Sequence, residues 1–212
     1  MHSELPLAAK TLLLAYHLDK QRLTHRRFLG IVLRGAVLTE LSAGGLLIDS
    51  DGKAKAVATS RPVDPVLAGA FDEISSSRPA SWKNWVRRNA RDTFGLVRDD
   101  LAARGVIEVE SRRTLGVFQT DRITPTDPAA VQQLQRHVVD VLFGSTPVHE
   151  VDREDAALIG LAGAGELLRK HASIGELWKQ RKRIKALAEH GGDAVPATKV
   201  VIDRIRAAAA NA

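Results

Sequence analysis

The stretch from Leu5 to Leu18 constrains this chain more than any other. Leu5, Leu7, Leu12, Leu13, Leu14 and Tyr16 are too dense for one apolar stripe, so a helix here has to be buried among other elements. Polar Asp19 to Arg22 ends it. The shell around it must be helical too, because aromatic residues are only 4% of the chain and the interior is left to Leu, Val, Ile and Ala. A hydrophobic fraction of 44% beside 26% charged residues is that of a globular protein. At 212 residues the chain suits one substantial core better than two. The expected fold is mainly α, a single helical domain over residues 1–212 with short β-hairpins.

A second helix is expected from Thr24 to Ser42, with Thr24 as N-cap, Gly44-Gly45 as the stop, and Phe28, Ile31, Val32, Ala36 and Leu41 on its apolar face. Leu46 to Ile48 and Lys53 to Val57 flank Asp49-Ser50-Asp51-Gly52, a hairpin signal. Asp64-Pro65 and Asp127-Pro128 each set a capping Asp before a Pro in the first turn, opening helices that run to Ile74 and to Gly144. Between them the spacing predicts short basic helices over Ser81–Asn89 and Arg91–Ala103, the second stopped by Gly105. Val106 to Glu110 and Leu115 to Thr120 form the strands of a further hairpin, with Ser111-Arg112-Arg113-Thr114 as an arginine-bearing turn. An Ala-, Leu- and Gly-rich helix follows from Asp152 to Leu168. Ser173 and Glu176 then make a capping box for a basic helix ending at Gly191-Gly192, and Pro196 to Ala210 closes the chain.

Nothing in the sequence carries the spacing of a catalytic or cofactor site. There is no HExxH pair, no Gly-rich phosphate loop ending in Lys-Ser/Thr, and no Gly-x-Ser-x-Gly elbow. Gly160, Gly163 and Gly165 are in the wrong order for a dinucleotide fingerprint and suit close helix packing instead. The seven His residues make no i, i+4 pair and there is no Cys, which leaves a zinc site without ligands. Glu150, Asp152, Glu154 and Asp155 fall at a helix start, where the dipole favours negative charge. The expectation is a non-enzymatic protein without cofactor or metal.

Charge is the exception to this plainness. The net charge is +6 and the pI about 9.9, a balance that attracts polyanions. Lys83, Arg87, Arg88 and Arg91 follow one another without an intervening acid, with Trp82 and Trp85 among them. Indole and guanidinium together suit either an interface, where Trp is amphipathic and Arg snorkels, or a core anchor beside a solvated face. A second run, Lys179 to Lys185 after Trp178, is spread round its helix and reads as a solvated face. Helix, Gly105 and hairpin also match a winged helix-turn-helix bound to nucleic acid. However, the apolar Leu115, Val117 and Phe118 favour membrane contact, at about 0.8 kcal/mol per buried CH₂. A protein-interaction scaffold, oligomeric or not, is the third reading. No stretch approaches the roughly 20 apolar residues of a spanning helix, and absent Cys fits a reducing compartment. A cytoplasmic protein peripherally associated with membrane is therefore expected.

The order of landmarks carries a resemblance. Leu12 to Leu14, then Val32-Leu33-Arg34-Gly35 with Leu38-Thr39-Glu40-Leu41, the Asp64 to Glu73 helix, Trp85, Ala103-Arg104-Gly105-Val106 and the hairpin together resemble the Golgi phosphoprotein 3 family, in particular its shorter bacterial relatives. The resemblance spans essentially the whole chain. It implies one mostly helical domain with a protruding hairpin, no enzymatic activity, binding of phosphatidylinositol 4-phosphate at membranes, and glycosyltransferases as partners. It also implies a headgroup pocket made by a Trp and an Arg on the second helix and two Arg before the hairpin. Matched to those positions, Arg34 and Arg91 keep the arginines, while His25 replaces the Trp and Phe94 the remaining Arg. The expected lipid site is thus Arg34, Arg91 and His25, supported by Arg87 and Arg88, with Leu115, Val117 and Phe118 dipping into the membrane.

Overall fold

Leu7–Leu14 forms α1, and all eight of its residues are buried, Lys10 and Thr11 included. The computed structural model describes residues 5–57, 60–114 and 118–211, with backbone alone over 111–114 and 118–120. α1 is shorter than the apolar run predicts. Beyond Ala15 the chain enters a small hairpin of β1 (Tyr16–His17) and β2 (Arg22–Leu23), with Tyr16 opposite Leu23. Asp19 to Gln21 are its turn.

α2 (Arg26–Ala43) is the hub of the fold, buried without interruption from Val32 to Thr39. Thr24 does not cap it, because its hydroxyl donates instead to the Ala15 carbonyl at 2.9 Å. His25 stands at the N-cap in the left-handed region, φ 52°, and its side chain makes no cap hydrogen bond. β3 (Leu47–Ser50) and β4 (Lys53–Ala56) pair through Asp51-Gly52, whose φ values of 52° and 75° are those a two-residue type I′ turn requires. α3 (Pro65–Ser75) is capped by Asp64, whose carboxylate accepts from the Val66 and Leu67 amides. The sequence gives no sign of β5 (Ala80–Ser81), a two-residue strand added to β4.

α4 (Trp82–Arg87) and α5 (Ala90–Ala103) are separated by Asn89 at φ 54°, a conformation Asn tolerates better than most residues. β6 (Ile107–Thr114) and β7 (Phe118–Pro125) follow. Buried Ile107 and Ile123 root this hairpin in the core. Its register, with Arg112 opposite Thr120 and Arg113 opposite Gln119, corrects the expected turn: both arginines belong to the strand. Ser111–Thr114 contains no Gly, Pro, Asn or Asp, the residues that stabilise tight turns. Leu115 and Val117 lie outside the described residues, as does the side chain of Phe118.

The second half is helical: α6 (Pro128–Phe143), α7 (Arg153–Ala164), α8 (Ile174–Lys179), α9 (Arg181–His190) and α10 (Ala194–Ala210). The basic helix expected as one is therefore two, broken at Gln180. The glycines of α7 are packing positions. A Cβ on Gly160 would sit 2.6 Å from Val195 and 2.7 Å from Ala188, and one on Gly163 would sit 2.7 Å from Ile184. Asp152 caps α7 through the Glu154 and Asp155 amides, and Glu154 takes the ammonium of Lys10, so the acidic cluster caps and neutralises. No helix of the described residues is long and apolar enough to cross a membrane.

One buried acid gives the fold a pH signature. Burial pushes the Glu40 carboxyl up from 4.5 to about 7, although its Oε2 accepts the Leu7 amide at 3.0 Å. A raised carboxyl contributes stability that is fully present below the unfolded value of 4.5 and is lost as pH rises through about 7. His171, pushed down to about 4 by burial, acts in the opposite sense over an overlapping window. The clean readout is therefore the difference between wild type and Glu40→Gln. Urea denaturation should show the variant gaining on wild type from pH 4.5 to 7, by on the order of 2 kcal/mol at the upper end. Parallel profiles for the two proteins would refute this account.

Candidate functional site

Of the arginines marked in the sequence, Arg34 lies deepest, 4% exposed near the middle of α2. Its Nη2 meets Glu73 of α3 at 2.6 Å, and its Nε donates to the Trp85 carbonyl of α4 at 3.2 Å. Desolvation lowers the guanidinium from its ordinary value, and the Glu73 carboxylate opposes this. Arg88 pairs with the other Glu73 oxygen at 3.0 Å and lies over the Trp85 ring. Trp82 and Trp85 are 5% and 1% exposed, and the Trp82 indole donates to Asp49 at 2.6 Å. The two indoles are thus core anchors, not interfacial groups, and Arg34 and Arg88 hold three helices together.

The open cationic site lies one layer outward. A cavity of about 420 Å³ is lined by Arg26, Arg27, Gly30 and Ile31 of α2, by Arg87 of α4, and by Ala90, Arg91 and Phe94 of α5. It exists because α2 and α5 cross closely: a Cβ on Gly30 would sit 2.2 Å from the Ala90 carbonyl oxygen. Arg87 and Arg91 meet there across the Asn89 break between α4 and α5. Among the described residues none of the four arginines has a carboxylate partner, and no acid lines the cavity.

Both helices that frame the cavity begin at it, and neither has a side-chain cap. α2 has no acid in its first turn, where Arg26 and Arg27 stand instead. Cations at a helix N-terminus oppose the macrodipole, whereas an anion there is favoured by the dipole and by free amides. Four guanidinium groups around two such ends form a place for a phosphate, sulfate or carboxylate, with bidentate hydrogen bonding available.

The structure brings together Arg87 and Arg91, adds Arg26 and Arg27, and leaves Arg34, Arg88 and His25 outside. His25 is next to the cavity in sequence but faces Glu166, with Nδ1 at 4.0 Å from Oε2. Burial first, and then Arg169, Lys170 and Arg206, lower its pKa against the pull of Glu166, so it stays neutral further into the acid range. Phe94 gives the cavity an apolar wall. Arg98 is held by Asp99 and Asp121. A signal for Arg26 and Arg27 was present in the sequence, a basic run at the start of a helix where acids are expected.

Fold and site together define a mainly helical domain with an arginine-lined cavity at one end of its central helix. The family model of Golgi phosphoprotein 3 (GPP34) matches residues 7–207, and the chain belongs to that family. No curated protein matches it.

The separation of roles is testable. Arg34→Ala leaves the Glu73 carboxylate, 17% exposed, with Arg88 alone, and should cost about 3 kcal/mol in urea denaturation, the lower end for a broken buried pair. Under native conditions it should bind anionic vesicles like wild type. Stability within experimental error of wild type, or lost vesicle binding in the folded variant, would return Arg34 to the anion site.

Proposed function

We propose that this protein binds anionic phospholipid headgroups at a membrane surface, by recognition and not by catalysis, with the headgroup phosphate in the Arg26, Arg27, Arg87 and Arg91 cavity. One observation carries the reading: four arginines without carboxylate partners among the described residues converge on two uncapped helix starts. Phosphate satisfies all of these at once. It supplies the charge that the α2 dipole lacks, whereas α5 has Asp92 in its first turn, and acceptors for the guanidinium forks. Membership of the Golgi phosphoprotein 3 family supports the lipid source over free phosphate. The apolar Leu115, Val117 and Phe118 add the interfacial element of the proposal, burying hydrocarbon beside the bound headgroup.

The headgroup is defined here by charge and not by inositol stereochemistry. His25 and Phe94 stand where the family resemblance places a Trp and an Arg, and only Phe94 lines the cavity. A site built this way discriminates by phosphate density more than by ring shape.

Co-sedimentation with phosphatidylcholine vesicles, with and without phosphatidylserine or phosphatidylinositol 4-phosphate, tests the proposal. Binding should require the anionic lipid and fall as salt rises. Arg27→Ala with Arg91→Ala should weaken it by about tenfold or more, since each lost guanidinium near the surface removes about 1 kcal/mol of attraction to anionic lipid. Phe118→Ala should weaken it further. Binding indifferent to anionic lipid, or unchanged in the double arginine variant, would rule the cavity out, and saturable duplex DNA binding in its place would favour the nucleic-acid reading.

A further inference from the structure

A second recess, larger and of different character, lies between α9 and α10 with α7 as its floor. It encloses about 680 Å³, within the range of small-molecule sites. Leu177, Ile184, Ala188 and Val200 make its walls apolar, and the lining positions Gly160 and Gly163 bring no side chain to the floor. Along α10 it reaches from Pro196 to Arg206, a length of about 15 Å at the helical rise.

Its rim is cationic. Arg169, Arg181, Lys182, Lys185, Lys199 and Arg206 surround it. Glu166 is shared by Arg169 and Arg206, Glu189 pairs with Lys185, and Asp203 pairs with Lys199 and Arg206. Among the described residues Arg181 and Lys182 have no carboxylate partner. Arg181 lies over the Trp178 ring at 3.9 Å. Trp178, 63% exposed, and Ile174, 72% exposed, extend the apolar surface on α8, beside Leu177.

We propose that this groove binds a long-chain anionic amphiphile, an unbranched alkyl chain with a carboxylate or phosphate head, the chain along the apolar wall and the head at Arg181 and Lys182. Charge complementarity selects the sign of the head. The closed end selects the chain, because α9 and α10 both pack against α7 at Gly160, whose Cβ position is within 3 Å of Val195 and Ala188. A peptide helix of about 10 Å diameter is too wide for that end, whereas a single file of methylenes fits. A second copy of this chain docked by the same face would set its own cationic α9 against the cationic rim. The groove site does not rest on the arginine-cavity proposal.

Dodecanoate and dodecyl phosphate, titrated below micelle formation, are the probes. Calorimetry gives the stoichiometry, and Trp fluorescence responds because Trp178 is exposed while Trp82 and Trp85 are buried. One saturable site is expected for both amphiphiles, with inorganic phosphate and dodecyltrimethylammonium binding at least about tenfold more weakly. Val200→Glu, at a 38% exposed position, should weaken binding by about tenfold or more by setting a carboxylate against the chain. Lys182→Glu should act in the same direction on both anionic probes. Arg27→Ala with Arg91→Ala should bind dodecanoate like wild type, which separates failure of this site from failure of the headgroup cavity. No saturation, equal affinity for the cationic amphiphile, unchanged binding in Val200→Glu, or capture of an acidic amphipathic peptide without alkyl binding would overturn the assignment.

Discussion

A guanidinium buried within the central helix has to be neutralised where it lies, and much of this structure is arranged around that requirement. Uncompensated, such a charge costs several kcal/mol. Glu73 supplies the countercharge and the Trp85 carbonyl an acceptor, so α2 cannot form its interior without α3 and α4 in register beside it. Arg88 shares Glu73 and lies over the Trp85 ring. With Arg88 engaged there, its neighbour Arg87 is left on the cavity wall. The buried charge thus places one of the exposed ones.

The cavity joins two helix starts that lack side-chain caps. α3, α6, α7 and α8 are capped by Asp64, Asp127, Asp152 and Ser173 through side-chain hydrogen bonds, and α7 adds Glu154 and Asp155 in its first turn. α2 and α5 meet the cavity with left-handed residues that cap nothing and with arginines in their opening turns. Each cation so placed gives up a few tenths of a kcal/mol or more that an acid would have gained. α4 is also capped, by Ser81, while α1, α9 and α10 start without a side-chain cap; what sets α2 and α5 apart is that their two uncapped starts open onto one arginine-lined cavity.

The helical class, the Asp-Pro helix starts, the Ser173–Glu176 capping box and the buried α1 were legible because each rests on local chemistry: apolar density, a capping oxygen, a proline ring. The boundary between the helices expected over Ser81–Asn89 and Arg91–Ala103 was legible too, but not the left-handed conformation of Asn89, which only tertiary packing selects. The same limit governed the site. Resemblance selected Arg34 and Arg91 together, but Arg34 is buried against Glu73, far away in sequence, and only Arg91 lines the cavity. Trp178 shows the converse: the indole just before the basic run is 63% exposed, because exposure is set by what α8 packs against and not by its composition.

Phe28 links the two recesses: Arg27 and Arg206 both lie over its ring, at 5.2 and 4.9 Å from its centre, and Arg27 lines the arginine cavity while Arg206 lines the apolar groove. Ten Lys and Arg side chains line the two recesses, against Glu166 and Glu189. This local excess of eight is larger than the net +6 of the whole chain, so the remainder of the protein is on balance slightly acidic. A charge distributed in this way produces a directed field rather than a general basicity. On the proposed reading, such a field would orient the protein at an anionic surface before any specific contact is made.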